Sequence, residues 1–190
     1  MGAISQRSAA SWYDNGGNAW ASHAGMELTA AGRKGRIQFG TLSGGMPITA
    51  LSFQFDKTNS GGGGTFTLYA TDNANLLPND MAGAVYVGAL SGWGAGTGTK
   101  TVALSETMAS ALRQFTGTWY LLMQSSVYVT FTGGSGSSAP LFTGEYQDGS
   151  VYINIAGVYR LGQPLVNVGG VWRGGVQQVN AGGIWRDGKP

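Results

Sequence analysis

Short segments in which apolar residues alternate with small or polar ones recur through residues 26–132. The clearest covers 48–55, where the alternation holds over eight positions. Because successive side chains of a strand point to opposite faces, this pattern predicts a strand with one buried face. Further strands are predicted at 26–28, 35–39, 65–70, 84–87, 100–104, 119–124 and 127–132.

Glycine-rich and polar segments mark the connections. The segment 56–64 ends in four consecutive glycines, so we expect a flexible hairpin loop that joins the strands on either side of it. The strands at 119–124 and 127–132 are expected to pair with each other. Before residue 26, Asn15-Gly16-Gly17 favours a turn, which fits either an N-terminal arm or an early hairpin.

One helix is predicted, from Ser105 to Phe115. Ser105 can cap it, Glu106 suits its first turn, and the apolar residues at 108, 111, 112 and 115 share a face. About eight short strands with one short helix predict an all-β fold, an antiparallel jelly-roll-like β-sandwich. A parallel α/β fold is excluded because the crossover helices that it needs are missing from the pattern.

At the end of the chain one phrase is written three times with a period of 13 residues, at 153–160, 166–173 and 179–186. Each copy ends in an aromatic residue followed by an arginine: Tyr159-Arg160, Trp172-Arg173 and Trp185-Arg186. Glycine pairs at 169–170 and 182–183 lie between β-branched or small residues and predict β-hairpins with type I′ turns. Ala156 replaces the first of these glycines in the first copy, where a different turn or a bulge is expected.

Two interpretations of these repeats remain open. An isolated hairpin is marginally stable in water, so the copies must stack or pack on another chain. They either form a β-meander that closes the fold or present a Trp/Arg-lined surface to a partner or ligand. Gly144, Tyr146 and Gln147 stand in register one period earlier, which is compatible with a fourth, degenerate copy.

These patterns divide the chain into four parts. Residues 1–25 form an N-terminal arm or first hairpin, and 26–132 form the β-sandwich. Residues 133–150 begin with a Gly/Ser-rich segment and are interpreted as a linker with the degenerate repeat. Residues 151–190 hold the three hairpin repeats.

The chain is poor in charged residues and rich in glycine. Charged residues make up 11% of the 190-residue chain, and it contains 34 glycines. The charged fraction is less than half the usual quarter, which suggests a surface that is covered in an assembly. The net charge is +2 without a Lys/Arg run, so no nucleic-acid partner is expected.

Targeting signals are not evident. The first residues lack the apolar core of a signal peptide, and no apolar run approaches the length of a membrane span. We therefore expect synthesis in the cytoplasm, with neither a cleaved signal nor membrane insertion.

The residues that would support catalysis are sparse. The chain has a single histidine, His23, and its nine carboxylates are scattered, mostly beside turn-forming residues. Neither a nucleophile elbow nor a His-Glu-x-x-His motif occurs. There is no cysteine, which excludes disulfides and thiolate metal sites, and Asp72-Asn73 and Asp56 with Asn59 lack the pattern of a strong calcium loop. We expect no enzyme activity, no cofactor and no metal.

Three tryptophans lie in loop-like segments: Trp12, Trp20 and Trp93. An exposed indole can stack on a sugar ring, so they are candidate platforms for a glycan. The alternative is that they pack on the sandwich or against a neighbouring subunit. Trp119 lies in a predicted strand and is assigned to the core.

The repeated phrase Val-Asn-Val-Gly-Gly-Val-Trp-Arg resembles the tandem phrases that end many tail and minor structural proteins of tailed bacteriophages. The resemblance rests on 153–160, 166–173 and 179–186, about a fifth of the chain. It implies a non-enzymatic virion protein of the tail tip, fibre or surface decoration. Such a protein acts as a homo-oligomer with other virion proteins, and it can contribute to host attachment. The alternative is a carbohydrate-binding module that recognises cell-surface glycans.

Overall fold

The computed structural model describes residues 1–14, 16, 18–29 and 32–147, with only the backbone of Ala82, and the backbone of six short strands between 151 and 187. Two compact units result: one spans Gly2–Gln147, and the other contains Met1 and Asp148–Pro190. In the described residues no helix is long and apolar enough to cross a membrane.

The larger unit is an antiparallel β-sandwich. Its described strands, in chain order, are β1 (Gly2–Arg7), β2 (Ala10–Asp14), β3 (Trp20–Ser22), β4 (Gly25–Leu28), β5 (Gly35–Phe39), β6 (Ile48–Lys57), β7 (Thr65–Thr71), β8 (Val85–Ser91), β9 (Gly98–Ala103), β10 (Trp119–Ser125), β11 (Val129–Thr132) and β12 (Leu141–Tyr146). A 3₁₀ helix occupies Pro78–Gly83, and the helix α1 occupies Glu106–Leu112.

Strand β6 is the centre of the first sheet. β12 pairs with its residues 48–54 and β9 with its residues 52–57, so these two partners must lie on opposite edges of β6. β11 pairs with β6 at Lys57, beyond the end of β12. The other edge of β11 pairs with β4. β1 completes the sheet beside β12.

The second sheet has the order β3-β2-β5-β10-β7-β8. Eight strands, ordered β1-β12-β6-β9 in one sheet and β5-β10-β7-β8 in the other, therefore follow the order of a jelly roll. The predicted fold class is confirmed, and β2, β3, β4 and β11 extend its edges.

Aromatic rings fill the space between the sheets. Phe39 of the second sheet lies 4.8 Å from Phe142 of the first, measured between ring centroids, and Phe55 lies 5.4 Å from Phe66. Full burial of such a side chain contributes roughly 1.5–3 kcal/mol. The helix α1 adds Met108, Ala109 and Leu112 to this core.

Several local predictions are confirmed. The alternating segment 48–55 lies within β6, and β2 pairs with β3 in an early hairpin. The hydroxyl of Ser105 accepts a hydrogen bond from the Met108 amide at 3.3 Å, so it caps α1 as predicted. The helix is shorter than predicted and ends at Leu112.

Two predicted strand pairs are wrong. The 56–64 segment is not a hairpin loop, because β6 belongs to the first sheet and β7 to the second. For the same reason β10 and β11 do not pair with each other. An alternating pattern of apolar and polar residues indicates that one face of a strand is buried. The pattern is the same for strands of either sheet in a sandwich, so it does not identify the pairing partner.

The boundaries at residues 25 and 133 also need correction. Residues 2–25 contribute β1, β2 and β3 to the two sheets, so they belong to the sandwich. Residues 141–146 are not part of a linker, because β12 lies between β1 and β6. Gly144 and Tyr146 are consequently in a sandwich strand, and the degenerate repeat is not a local hairpin.

In the smaller unit the described strands are β13 (Val151–Ile155), β14 (Val158–Gly162), β15 (Leu165–Val168), β16 (Val171–Gly174), β17 (Gln178–Ala181) and β18 (Ile184–Asp187). They form three two-stranded antiparallel hairpins, one for each repeat. The predicted type I′ turns at 169–170 and 182–183, and the variant turn at Ala156, lie outside the described residues.

Candidate functional site

The outward face of the second sheet carries a row of large side chains. Residues paired directly across neighbouring strands point to the same face of a sheet. The pairing runs from β2 through β5, β10 and β7 to β8, and it aligns Trp12, Arg36, Leu122, Tyr69 and Tyr86. Leu122 is fully buried and Arg36 nearly so, which leaves Tyr86 as the exposed end of the row.

Arg36 is the centre of an aromatic cluster in this row. Its guanidinium carbon lies 4.3 Å from the ring centroid of Trp12, 4.7 Å from that of Tyr120 and 5.3 Å from that of Trp20. The side chain is 8% exposed and donates a hydrogen bond to the Ala74 carbonyl oxygen at 2.8 Å. Burial lowers the pKa of Arg36, and Tyr120 partly opposes that shift. The guanidinium nevertheless stays charged, because arginine is not deprotonated in proteins.

The same cluster holds Trp12 and Trp20 in place. The Trp20 indole donates a hydrogen bond to the Leu76 carbonyl oxygen at 2.6 Å. Trp12 and Trp20 are half-buried against the small cluster formed by Met81, Tyr120 and Leu122. The structure thus favours the packing interpretation for both tryptophans, since the cation that their rings surround is the protein's own Arg36.

Trp93 is buried and is not an exposed platform. It is 3% exposed, and its ring stacks on Phe66 with the centroids 5.0 Å apart and the planes 12° from parallel. The loop that contains Trp93 turns it into the core, so the packing alternative holds here too. A loop position in the sequence does not reveal which way a large apolar side chain points.

Lys57 lies beside Trp93, and its position is unusual for a lysine. Its side chain is 1% exposed, and its Nζ donates to the carbonyl oxygens of Asn59, Gly61 and Gly96. Nζ also lies 5.6 Å from the Trp93 ring centroid. Burial, followed by the charge of Lys100, lowers the pKa of Lys57. The alternation of β6 already places Lys57 on the inward face, so the sequence did contain a signal for this buried cation.

A groove lined mainly by polar residues lies on the outward face of the second sheet, and we call it the Thr/Gln groove. Its volume is about 330 Å³. It forms because β5 begins at Gly35, opposite Met123, so the end of β10 has a loop beside it in place of a strand. Its lining comes from that loop, from the start of β7 and from the end of β10: Thr29, Gly32, Arg33, Thr65, Thr67, Gln124, Ser125 and Ser126.

Backbone hydrogen bonds fix two of the groove hydroxyls. The Ser126 hydroxyl accepts from the Thr65 amide at 2.9 Å, and the Thr29 hydroxyl accepts from the Arg33 amide at 3.2 Å. Each hydroxyl thus keeps its proton for donation to another group. At the rim, Arg33 Nη1 and Glu27 Oε1 form an ion pair at 2.6 Å with both side chains exposed. The groove was missed from the sequence because its residues come from three distant segments.

In the repeats the backbone register places the predicted residues at equivalent positions. Tyr159, Trp172 and Trp185 are each the second residue of the later strand of a hairpin, and they pair with Asn154, Asn167 and Asn180 respectively. The arginines that follow, Arg160, Arg173 and Arg186, pair with aliphatic residues in all three hairpins. The side chains of these six site residues lie outside the described part of the structure.

The described residues form no group of three or more His, Asp or Glu side chains suited to a metal ion. His23 takes part in a local turn, where its Nδ1 lies 3.0 Å from the Gly25 amide nitrogen. Its ring also packs edge-on against Tyr13, with the centroids 5.3 Å apart. These contacts account for His23 as part of the turn before β4.

Fold and surface together define the class of this chain as an all-β jelly-roll sandwich that carries three hairpin repeats. Comparison with protein-family models gave no match, and comparison with curated proteins gave none either.

Proposed function

We propose that this chain is a non-enzymatic structural protein of a tailed-bacteriophage virion, assembled as a homo-oligomer through its hairpin repeats. The resemblance of the repeats to those of phage tail proteins supports the virion role. The observation that carries the oligomer is the strand pairing of the repeats. Each described hairpin is a two-stranded sheet that pairs only within itself.

A two-stranded hairpin alone is marginally stable in water, because it buries too little apolar surface to offset the entropy of ordering its backbone. The described strands of each hairpin have no further strand paired to their outer edges, and such edges favour pairing with another strand. Three such hairpins at a 13-residue period offer similar edges at regular intervals. Copies of the chain around a symmetry axis could therefore cover one another's hairpins in register.

The sandwich supplies the second part of the proposal. It has its own core of aromatic and aliphatic residues, so it can act as a folded module presented by the oligomer. A charged fraction of 11% is consistent with surfaces that are covered inside a particle. In this arrangement the repeats assemble the subunits, and the sandwich is anchored to the particle or displayed from it.

Light scattering coupled to size-exclusion chromatography tests the assembly. The full chain is compared with a chain that ends at Gln147 and with a control whose residues 148–190 are shuffled in order. We expect an oligomer for the full chain and monomers for the other two, with the sandwich still folded by circular dichroism. A monomeric full chain, or a truncated chain that keeps the same oligomer, would contradict the proposal.

The virion role has a separate test. Purified particles of a phage that encodes this chain should contain it in a fixed ratio to the other structural proteins, as measured by mass spectrometry. Its absence from the particles would overturn the virion role and leave the oligomer result in place.

A further inference from the structure

We propose that the Thr/Gln groove is a binding site for neutral oligosaccharides. This site lies wholly within the sandwich, so it does not depend on whether the repeats assemble. Such a ligand fits the hydrogen-bonding capacity of the groove, its charge and the aromatic side chains on the same face of the sheet.

The floor of the groove is made of polar side chains with free hydrogen-bonding capacity. Thr67 and Gln124 pair directly across β7 and β10, and Thr65 is the next residue of β7 on the same face. All three are half-buried, and within the described residues their side chains make no hydrogen bond to the protein. A hydroxyl both donates and accepts, and an amide supplies two donors and an acceptor. Sugar hydroxyls also donate and accept, so they match this floor.

The charges around the groove favour a neutral ligand. Arg33 is the one cation in its described lining, and its guanidinium is already paired with Glu27. A phosphate or carboxylate that approached Arg33 would face the Glu27 carboxylate as well. The two exposed charges nearly cancel, so the groove offers an anionic ligand little net attraction, and an uncharged saccharide loses nothing by comparison.

Two tyrosines, Tyr69 and Tyr86, lie on the same face of the sheet beyond Thr67, outside the groove lining itself. Tyr69 is the next outward-facing residue of β7 after Thr67, and its ring lies 5.5 Å from that of Tyr86, centroid to centroid. Tyr86 is 59% exposed, so its ring is available to a ligand. The apolar face of a sugar ring can pack on such a tyrosine while its hydroxyls bond to the floor. A volume near 330 Å³ is at the small end for ligand sites, which fits the terminal sugars of a glycan.

Saturation-transfer-difference NMR with the full chain tests the proposal directly. The probes are neutral di- and trisaccharides that end in glucose, galactose or N-acetylglucosamine, alongside their sialylated or sulfated counterparts. We expect at least one neutral probe to bind. For that probe, Thr67→Val and Gln124→Ala should each weaken binding roughly two- to tenfold, the effect of losing one hydrogen-bond partner.

Matched controls come from the outward face of the first sheet. Thr143 and Gln54 are half-buried strand residues like Thr67 and Gln124, so Thr143→Val and Gln54→Ala should leave binding unchanged. Binding that the groove variants do not weaken, or that the control variants weaken equally, overturns the assignment of the site. Binding restricted to the anionic probes overturns the ligand class, and no binding to any probe overturns the proposal as a whole. None of these outcomes alters the light-scattering test of assembly.

Discussion

The sandwich and the repeats are both built from antiparallel strands, but they obtain their partners differently. In the sandwich, β1 pairs with β12, so Gly2 lies opposite Tyr146. In the repeats, the two strands that pair follow each other directly along the chain. In the second hairpin, for example, Val166 of β15 pairs with Arg173 of β16. Distant pairing encloses a core between two sheets, whereas local pairing makes each described hairpin a separate sheet of two strands. The sandwich can be stable by itself, and the repeats need a further surface.

This difference also predicts how a change in one unit affects the other. The sandwich core is continuous. A cavity in this core therefore lowers the stability of the whole sandwich, because all its strands pack on the same core. The described hairpins do not share a sheet with the sandwich, and we expect their changes to affect assembly only. Substitutions in each unit test this separation.

Trp119→Ala should destabilise the sandwich most. Trp119 has no exposed surface, and its ring lies 5.3 Å from Phe39, 5.5 Å from Phe115 and 5.9 Å from Phe142, centroid to centroid. Its removal leaves a large cavity, which costs about 3–5 kcal/mol. Urea unfolding of the chain that ends at Gln147, followed by circular dichroism, measures the loss. Tyr86→Ala is the exposed control, and a similar loss for both variants would contradict the assignment of Trp119 to the core.

Gly144→Ala should cost roughly 1–3 kcal/mol in the same measurement, the range for overpacking a filled core. Gly144 lies in β12 opposite Leu51, and an added methyl group would overlap the carbonyl oxygen of Ala50. The backbone in the middle of the first sheet must shift to remove this overlap. Gly62→Ala is the matched control, because an added methyl group there meets no atom within 4 Å. Equal stability of the two variants would argue against the placement of β12.

Gly144 also shows how far the sequence could predict the fold. Its register with the later glycines suggested a degenerate hairpin, but in the structure it allows β12 to pack closely against β6. Alternation, caps and turn residues are local signals, so β6, α1 and the three repeat hairpins were predicted correctly. Pairing in a sandwich depends on residues far apart in sequence, so the partners of β7 and β12 could not be predicted from neighbouring residues.

The candidate site shows the same limit. The Thr/Gln groove brings together Thr29, Thr67 and Gln124, which are polar residues with no shared motif. Only the register of β7 with β10 places Thr67 and Gln124 side by side. The tryptophans gave a conspicuous signal in the sequence, yet Trp93 proved to be a core residue, because a large apolar ring is stabilised by burial wherever the fold allows it.

Trp172→Ala should have the smallest effect on the sandwich and still disrupt the assembly. Trp172 lies in β16, outside the unit that holds the core, so we expect the sandwich to keep its stability within about 0.5 kcal/mol, as for substitutions at independent sites. Hydrogen exchange of peptides from β6 and β10 in the full chain measures that stability, and light scattering on the same sample measures the oligomer. We expect unchanged protection together with a lower mass, because Trp172 belongs to a hairpin that we propose the copies of the chain cover. Loss of protection in β6 would show that the repeats support the sandwich, and an unchanged oligomer would show that Trp172 lies outside the interface.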